Sequence, residues 1–363
     1  MADHTLSGAL PKYNFSPHTL SLNVPTKLVE LSVETISELE SEPIMVVPDA
    51  DLPPEDPDGQ EEITLTLDGE VSVKLIPIRP LGEDTTIVGV DSSCIKLGET
   101  GTGIIVALRG GVVWRNDSSC RYLRIGPFIF HITEENRTKI YNALRRFCLR
   151  LPGKKEAPSL QHMPIKMNRL FELWIKEVAC NLFSEAILLF DGSLTAGPDG
   201  ISRALEELLS LARENSNVVL ALSKGSKLRI MGRRLTSLLN DLGGPYLLEP
   251  EVDILRRYSN LRFLGRIYVA KLSPLGYPFR LDVDASIPRE EGLRAVGILV
   301  ARDVIYQGYP EVLRLAHIIA TFTAPEVMAM QLMLCRAYGL KLIRMPDMRK
   351  LLFGPFGTGG RSP

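Results

Sequence analysis

The clearest pattern in the chain is a pair of uncharged runs that each end in an aspartate. Residues 186–190 lead to Asp191, and residues 86–90 lead in the same way to Asp91. A short apolar run is typical of a strand buried on both faces. We therefore predict two strands of one sheet that bring both carboxylates to one edge. The alternative, for each aspartate taken singly, is a cap on the turn or helix that follows it.

Alternation and helical spacing predict the elements around these two strands. Further strands are predicted at residues 101–108, 111–114, 122–132, 217–222, 262–272 and 278–283. Helices are predicted at residues 26–40, 134–149, 167–183, 199–215, 310–321 and 326–338. A meander of strands comes first, and helices and strands alternate after it. That order predicts an α/β fold with a mixed sheet flanked by helices.

The N-terminal part of the chain divides into a helix, a linker and a hairpin. The helix at residues 26–40 has an apolar stripe of Val29, Val33 and Ile36, which we interpret as a core face in preference to a docking face. Residues 48–62 are acidic and Pro-rich, a composition that cannot build a core, so they are predicted to be a linker. Residues 62–77 alternate around an Asp-Gly pair, which predicts a hairpin.

The domain organisation follows from these patterns. We predict an N-terminal extension over residues 1–62, one globular domain over residues 63–350 and a flexible Gly- and Pro-rich tail over residues 351–363. The chain has no internal repeat, and no run of about eighteen uncharged apolar residues predicts a membrane-spanning helix.

Composition narrows the functional classes. The 363 residues carry a net charge of −1, so any polyanion partner must be bound through local charge. Five cysteines are scattered without a CxxC pair, which argues against a zinc ribbon and a disulfide framework. This cysteine usage, with a polar N-terminus, predicts a cytoplasmic protein.

A third carboxylate near the two aspartates would complete a cation site. The helix before Asp191 offers Glu172 and Glu177, which lie nearly opposite each other around the helix, so only one of them can face the sheet. Three carboxylates suit Mg²⁺ or Mn²⁺, and a pair of such ions can activate water and stabilise the leaving oxygen of a phosphodiester. Either glutamate alone is equally well explained as a solvated surface charge.

His317 is the candidate for acid–base help. It lies in an apolar helical segment that begins after Tyr309, eight residues earlier. A histidine on an apolar helix is more often a satisfied core residue than a catalytic one, and that alternative stays open at this point.

A basic segment follows the strand at residues 217–222. Its Lys and Arg side chains are suited to neutralise backbone phosphates, and a solvated basic surface is the alternative. The candidate DNA-binding residues are Lys224, Lys227, Arg229 and Arg233.

The order of these motifs resembles one known family. The segments VGVDSS, RLFE, LLFDGSL, LSKGSK and GYP, followed by His317, are similar in order and spacing to those of NurA, an archaeal and bacterial DNA-end-processing nuclease. The resemblance spans about residues 85–320. Ser92 stands where the family commonly has Gly, and Gly225 stands where it more often has Arg.

The resemblance implies a ribonuclease-H-like core and a set of site residues. Asp91, Glu172 and Asp191 match the family's metal-binding carboxylates, Tyr309 and His317 match its C-terminal catalytic Tyr and His, and Lys224 matches a lysine of its serine-lysine segment.

The same resemblance implies an activity and partners. The expected activity is Mn²⁺-dependent cleavage of DNA, with Mg²⁺ as the alternative ion and two ions in the site. The expected reactions are 5′–3′ exonuclease and endonuclease cleavage in DNA-end resection during double-strand break repair. The expected partners are DNA, a second copy of the chain in a homodimer, and a HerA-type hexameric translocase; no membrane is expected.

Two other functions compete with this prediction. One is a non-catalytic nucleic-acid-binding or assembly module on the same core, in which the carboxylates would be structural. The joint presence of Asp91, Glu172, Asp191 and His317 argues against it. An actin-like or sugar-kinase ATPase also places an Asp after a strand. That class needs further Gly-rich nucleotide loops, and only residues 243–245 offer one, without a strand before them.

Overall fold

The computed structural model describes residues 25–37, 39, 43–46, 64–65, 73–116, 119–150, 153–196, 201–224, 229–230, 233–234, 236, 239, 243–250, 262–346 and 351–352. Lys227, the Asp68–Gly69 turn, the predicted linker and residues 353–363 lie outside them.

The helices lie close to the predicted positions. They are α1 Thr26–Ser37, α2 Arg137–Leu149, α3 Met163–Leu182, α4 Ile201–Glu214, α5 Arg289–Arg302, α6 Glu311–Ala320 and α7 Ala324–Tyr338. The sequence pattern does not predict helix α5. Its residues 295–299 are all buried and show no one-sided apolar stripe, and it contains Gly292 and Gly297, which pack closely against neighbouring segments.

The strands are β1 Ile44–Val46, β2 Thr64–Leu65, β3 Val73–Pro77, β4 Ile87–Glu99, β5 Gly103–Asn116, β6 Ser119–Thr133, β7 Ile187–Asp191, β8 Thr195–Ala196, β9 Val218–Ser223, β10 Arg229–Ile230, β11 Arg233–Arg234, β12 Tyr246–Pro250, β13 Arg262–Phe263, β14 Gly265–Lys271, β15 Phe279–Asp284, β16 Ile305–Tyr306, β17 Tyr309–Pro310 and β18 Leu342–Arg344.

The core of the main sheet has the strand order β6-β5-β4-β7-β9. Strands β4, β5 and β6 form the predicted antiparallel meander, and β4, β7 and β9 run parallel. The antiparallel strands β15, β14, β12 and β3 extend the sheet beyond β9. This mixed α/β arrangement confirms the predicted ribonuclease-H-like fold class.

Two details of the strand predictions were wrong. Strand β4 does not end at Asp91 but continues to Glu99, because β5 pairs with it along its whole length. Within the described part of the predicted hairpin, β2 pairs with β10 and β3 pairs with β12, so these two strands do not pair with each other.

Helices cover both faces of the sheet. One apolar cluster joins side chains such as Val90 and Phe190 to helices α1–α4, and the other joins Ile187 and Leu189 to α5 and α6. Alternation along the strands therefore sends odd-numbered residues of β4 and β7 toward α6. Asp91 and Asp191 belong to that set.

The N-terminal helix packs through a face different from the predicted one. Leu28, Leu31 and Ile36 are buried, whereas Val29 and Val33 are 42% and 59% exposed. Of the predicted stripe only Ile36 is buried, because the face that carries Leu28, Leu31 and Ser32 packs on the sheet, where the Ser32 hydroxyl bonds to the backbone of Ile129 on β6.

Within the part of the chain that the structure describes, one stretch is long and apolar enough to cross a membrane by composition alone. It covers Glu311–Tyr338, with a mean hydropathy of 1.5. In the structure this stretch is two helices, α6 and α7, separated at residues 321–323, and α6 packs against the sheet. The stretch is therefore weak support for a membrane segment.

Candidate metal centre

The two aspartates lie side by side on neighbouring parallel strands. In the register of β4 and β7, Val90 is opposite Phe190, which makes Asp91 and Asp191 the next pair. Asp91 is buried, and Asp191 is partly exposed at the end of its strand. The parallel pairing of β4 with β7 stops at this point. The carboxylates therefore meet at the edge where the two strands separate, as the hydrophobic pattern predicts.

The backbone turns sharply immediately after Asp191. Gly192 has φ of +104°, a left-handed conformation that a side chain would strain, and its N–H donates to Leu222 O at 2.8 Å. This glycine lets the chain leave the sheet without covering the carboxylate.

Two glycines allow helix α6 to approach the sheet beside Asp91. A Cβ on Gly89 would meet Val312 O at 2.6 Å, and one on Gly111 would meet Ala316 O at 2.7 Å. Gly111 is the cross-strand partner of Asp91. The close approach brings His317 Nδ1 to 2.7 Å from Asp91 Oδ2.

Asp91, Asp191 and His317 together form a set of ligand atoms suited to a cation. One ligand atom from each residue lies within 4.8 Å of the others. Two carboxylates and an imidazole match the ligands of Mn²⁺, and carboxylates alone suit Mg²⁺. The donor set therefore fits the divalent ion that the resemblance implies; its three members are Asp91, Asp191 and His317, and Glu172 is not one of them.

The two glutamates of α3 point to different places. Glu172 lies near enough to Asp91 and Asp191 for their charges to act on it, and it forms an ion pair with Lys176 one turn later. Glu177 forms a 2.7 Å ion pair with Arg150 at the end of α2. The structure thus brings Glu172, and not Glu177, to the aspartates.

Burial and neighbouring charges shift the pKa values of the ionisable groups in this site. Burial and the neighbouring Asp91 raise the pKa of Asp191, against the effect of Lys224. Burial raises the pKa of Glu172 more than Lys176 lowers it. The hydrogen bond to Asp91 raises the pKa of His317. Carboxylates that lie close together have raised pKa values when no bound cation balances their charge. Such a group is typical of a cation site.

Tyr309 and Lys224 complete the surroundings of Asp191. The Lys224 ammonium bonds to Asp191 Oδ2 at 2.6 Å and lies 5.1 Å from the centre of the Tyr309 ring. The buried Tyr309 hydroxyl has no hydrogen-bond partner among the described residues. Burial and the charge of Asp191 raise its pKa, so it stays protonated and able to donate.

Three of the four predicted DNA-binding residues, Lys224, Arg229 and Arg233, lie in the described part of the chain. Lys224 faces the carboxylates. The segments with Arg229 and Arg233 form two short antiparallel strands. Lys227 lies outside the described residues.

Sequence reasoning missed Lys176 and Asn168. Lys176 is 8% exposed; it pairs with Glu172 and donates to Asp191 O at 3.4 Å. Asn168 Oδ1 lies 3.1 Å from the Ser92 hydroxyl, next to Asp91. The spacing of Lys176, four residues after Glu172, was the available signal.

Comparison with known families identifies the chain. Residues 85–322, more than half of the chain, match the family described as the NurA domain. The chain belongs to the NurA family. No curated protein sequence matches it.

Solved structures with a similar fold include two NurA proteins and endonuclease V. The NurA nuclease from Sulfolobus solfataricus is 15% identical, with 72% of this chain and 86% of that chain covered and a TM-score of 0.46. A second NurA structure is 9% identical, with 72% and 90% covered and a TM-score of 0.39. Endonuclease V from Streptomyces avermitilis is 12% identical, with 67% and 82% covered and a TM-score of 0.33.

Proposed function

We propose that this NurA-family chain is a DNA nuclease that uses a divalent cation, with Mn²⁺ as the preferred ion and Mg²⁺ as the alternative. The observation that carries the proposal is the convergence of Asp91, Asp191 and His317 within 4.8 Å at one edge of the sheet. Family membership supports a nuclease in general, and this cluster supports the dependence on metal.

The proposed ligands are Asp91, Glu172 and Asp191, with His317 beside them. A bound pair of ions would supply Lewis acidity to the scissile phosphate and lower the pKa of a coordinated water. Glu172 needs a counter-charge, which Lys176 provides through their ion pair. Asp191 has the same need, which Lys224 meets from the solvent side at 2.6 Å.

The remaining side chains supply orientation and protons. The 2.7 Å bond to Asp91 fixes the orientation of the half-exposed His317 imidazole, which we propose exchanges protons with water or the leaving oxygen. The Tyr309 hydroxyl, protonated and next to Asp191, is proposed to donate to a phosphate oxygen.

DNA contact is proposed for the basic segment after β9. Lys224 is 43% exposed at the rim of the site, where it can meet a phosphate. Lys227, Arg229 and Arg233 follow it in the chain and are proposed to track the DNA backbone.

The biological setting is also a proposal and rests on the family. We propose 5′–3′ exonuclease and endonuclease cleavage of DNA ends in double-strand break repair, in the cytoplasm, by a homodimer that works with a HerA-type translocase. Light scattering of the purified chain tests the dimer, and co-purification with the translocase tests the partnership.

Digestion of end-labelled single- and double-stranded DNA tests the activity. Wild type and Asp191→Asn are compared in Mn²⁺, Mg²⁺ or EDTA, with circular dichroism to verify that both are folded. We expect cleavage by wild type in Mn²⁺, none in EDTA and none by the variant.

Equal cleavage by the two proteins would contradict the proposed site. If neither protein cleaves, even with the translocase added, a non-catalytic DNA-binding module would be the better description.

A further inference from the structure

The turn that follows Asp191 is held by a buried polar network on the neighbouring strands. The Leu194 N–H donates to Asp282 Oδ2 at 2.9 Å, and Leu194 O accepts from Leu264 N at 2.8 Å. The Thr195 hydroxyl accepts from Arg280 Nη2 at 2.7 Å. Residues 192–195 thus have partners on β9, on β15 and at Leu264, between β13 and β14.

Arg280 and Asp282 form a two-pronged ion pair on one face of β15. Arg280 Nε lies 2.7 Å from Asp282 Oδ1, and Nη2 lies 2.7 Å from Oδ2. The two residues are 5% and 0% exposed. Such parallel bonds fix the carboxylate in the plane of the guanidinium, so the direction in which Asp282 accepts from Leu194 is also fixed.

The turn packs directly against the pair. A Cβ on Gly265 would meet Asp282 Cβ at 2.8 Å and Leu194 Cβ at 3.2 Å. Gly265 therefore permits the turn and the carboxylate to touch. Both oxygens of Asp282 are already bonded to Arg280 and Leu194, so the pair serves the turn and not a bound molecule.

A buried ion pair is an expensive way to stabilise a fold. Removing two charges from water costs several kcal/mol per ion, and apolar residues of similar size are often equally stabilising. A pair that carries such a cost, and that is bonded to the turn next to a carboxylate of the site, points to a role in geometry.

We propose that Arg280 and Asp282 are positioning residues of the metal site, which hold the turn at residues 192–195 and thereby aim Asp191 at Asp91. The inference rests on the proposed function, because it assumes that Asp191 binds the cation. Groups that orient ligands in this way typically contribute 10–100-fold in metal affinity or activity.

The test measures Mn²⁺ binding in the absence of DNA, by the loss of the free-ion electron paramagnetic resonance signal. Full-length wild type is compared with Arg280→Met/Asp282→Leu, in which both charges are removed together so that neither is left buried alone. Thr195→Val removes only the bond from Arg280. Asp284→Asn is the matched control, because Asp284 is buried two residues further along β15 and its side chain pairs with Arg213 of α4 and not with residues 192–195.

We expect the double variant to bind Mn²⁺ about 10–100-fold more weakly at a temperature at which it is folded. Thr195→Val should show a smaller weakening in the same direction, and Asp284→Asn should bind as wild type does. In DNA cleavage, the double variant should need more Mn²⁺ for half-maximal rate with an unchanged KM for DNA.

Three results distinguish the possible failures. A double variant that binds Mn²⁺ as tightly as wild type would overturn the positioning role while leaving the proposed function intact. An equal weakening in Asp284→Asn would mean that any buried charge on β15 has this effect, which also overturns it. If wild type binds no Mn²⁺, the proposed metal site fails, and the inference fails with it.

Discussion

Two carboxylate sites of this protein, a cluster at the sheet edge and the single Glu326 at a helix corner, lie beside basic side chains and have pKa values shifted in opposite directions. At the sheet edge, burial and mutual repulsion raise the pKa of Asp191 although Lys224 is in contact with it. At the corner between α6 and α7, Glu326 accepts from Thr323 N–H and Arg109, and these bonds lower its pKa to about 2.

The difference lies in how completely each charge is satisfied. Glu326 closes a capping box at the start of α7, and its partner Arg109 is buried against the Phe322 ring at 4.0 Å. The corner is therefore charge-balanced by the protein itself. At the sheet edge, burial and the neighbouring carboxylates outweigh Lys224 and Lys176, so ionised Asp191 and Glu172 oppose folding unless a cation joins them.

The largest expected effect is the loss of DNA cleavage when Glu172, one of the two glutamates of α3, is replaced. Glu172→Gln is expected to lower Mn²⁺-dependent cleavage by about 10³-fold, because metal Lewis acidity contributes several kcal/mol at about 1.4 kcal/mol per tenfold in rate. Glu177→Gln, on the same helix but paired with Arg150, is the control and should remain within about twofold of wild type. Equal losses in the two variants would remove Glu172 from the site.

At the corner, Arg109→Met should destabilise the protein by about 3 kcal/mol, because it removes the buried partner of Glu326. Arg124→Met removes a contact to the same oxygen from a side chain that is 40% exposed, and should cost less than about 1 kcal/mol. Urea unfolding measures both. A larger loss for Arg124 would contradict the account of the corner.

The corner should also make stability depend on pH. A carboxylate with a lowered pKa stabilises the fold above its ordinary value of 4.5, and that contribution is lost as pH falls toward about 2. Glu326→Gln should therefore be less stable than wild type by roughly 1–2 kcal/mol at pH 7, with allowance for partial exposure. The difference should shrink to near zero at about pH 2, and a constant difference would contradict this.

The smallest expected effect concerns His317, which is 54% exposed. Its pKa is raised by Asp91, so the charged pair stabilises the fold below the ordinary pKa of 6.5, and this contribution is lost as pH rises through the raised value. Without metal, His317→Gln should be less stable than wild type by under about 1 kcal/mol at pH 5.5, with the difference gone at pH 9. Melting curves at the two pH values provide the measurement.

The sequence predicted the site best where local pattern and topology coincide. Asp91 and Asp191 follow uncharged runs, and parallel strands bring such residues together. The place of His317 beside Asp91 depends on Gly89 of the same strand and Gly111 of β5, which let α6 approach, and no local pattern reveals that approach. His317 was a candidate for acid–base help from its helical segment alone, and the family resemblance gave Tyr309 and His317 their matched roles.

Long-range partners explain what the sequence could not predict. The buried face of α1 is set by a bond from Ser32 to β6, 97 residues away. Arg280 and Asp282 read as part of an ordinary strand, since nothing near them in the chain indicates that they contact the turn after Asp191. Lys224 was expected to meet DNA, and its contact with Asp191 became apparent only from the parallel register of β7 and β9.

The central claim is that the carboxylates of the sheet edge are arranged for a divalent cation. The most direct test is the melting temperature of wild type and Asp191→Asn at pH 7.5, with EDTA or with Mn²⁺. In EDTA the variant should melt at the same temperature or higher, because it relieves repulsion with Asp91, and Mn²⁺ should raise the melting temperature of wild type only. A variant that melts lower in EDTA and responds to Mn²⁺ as wild type does would contradict the claim.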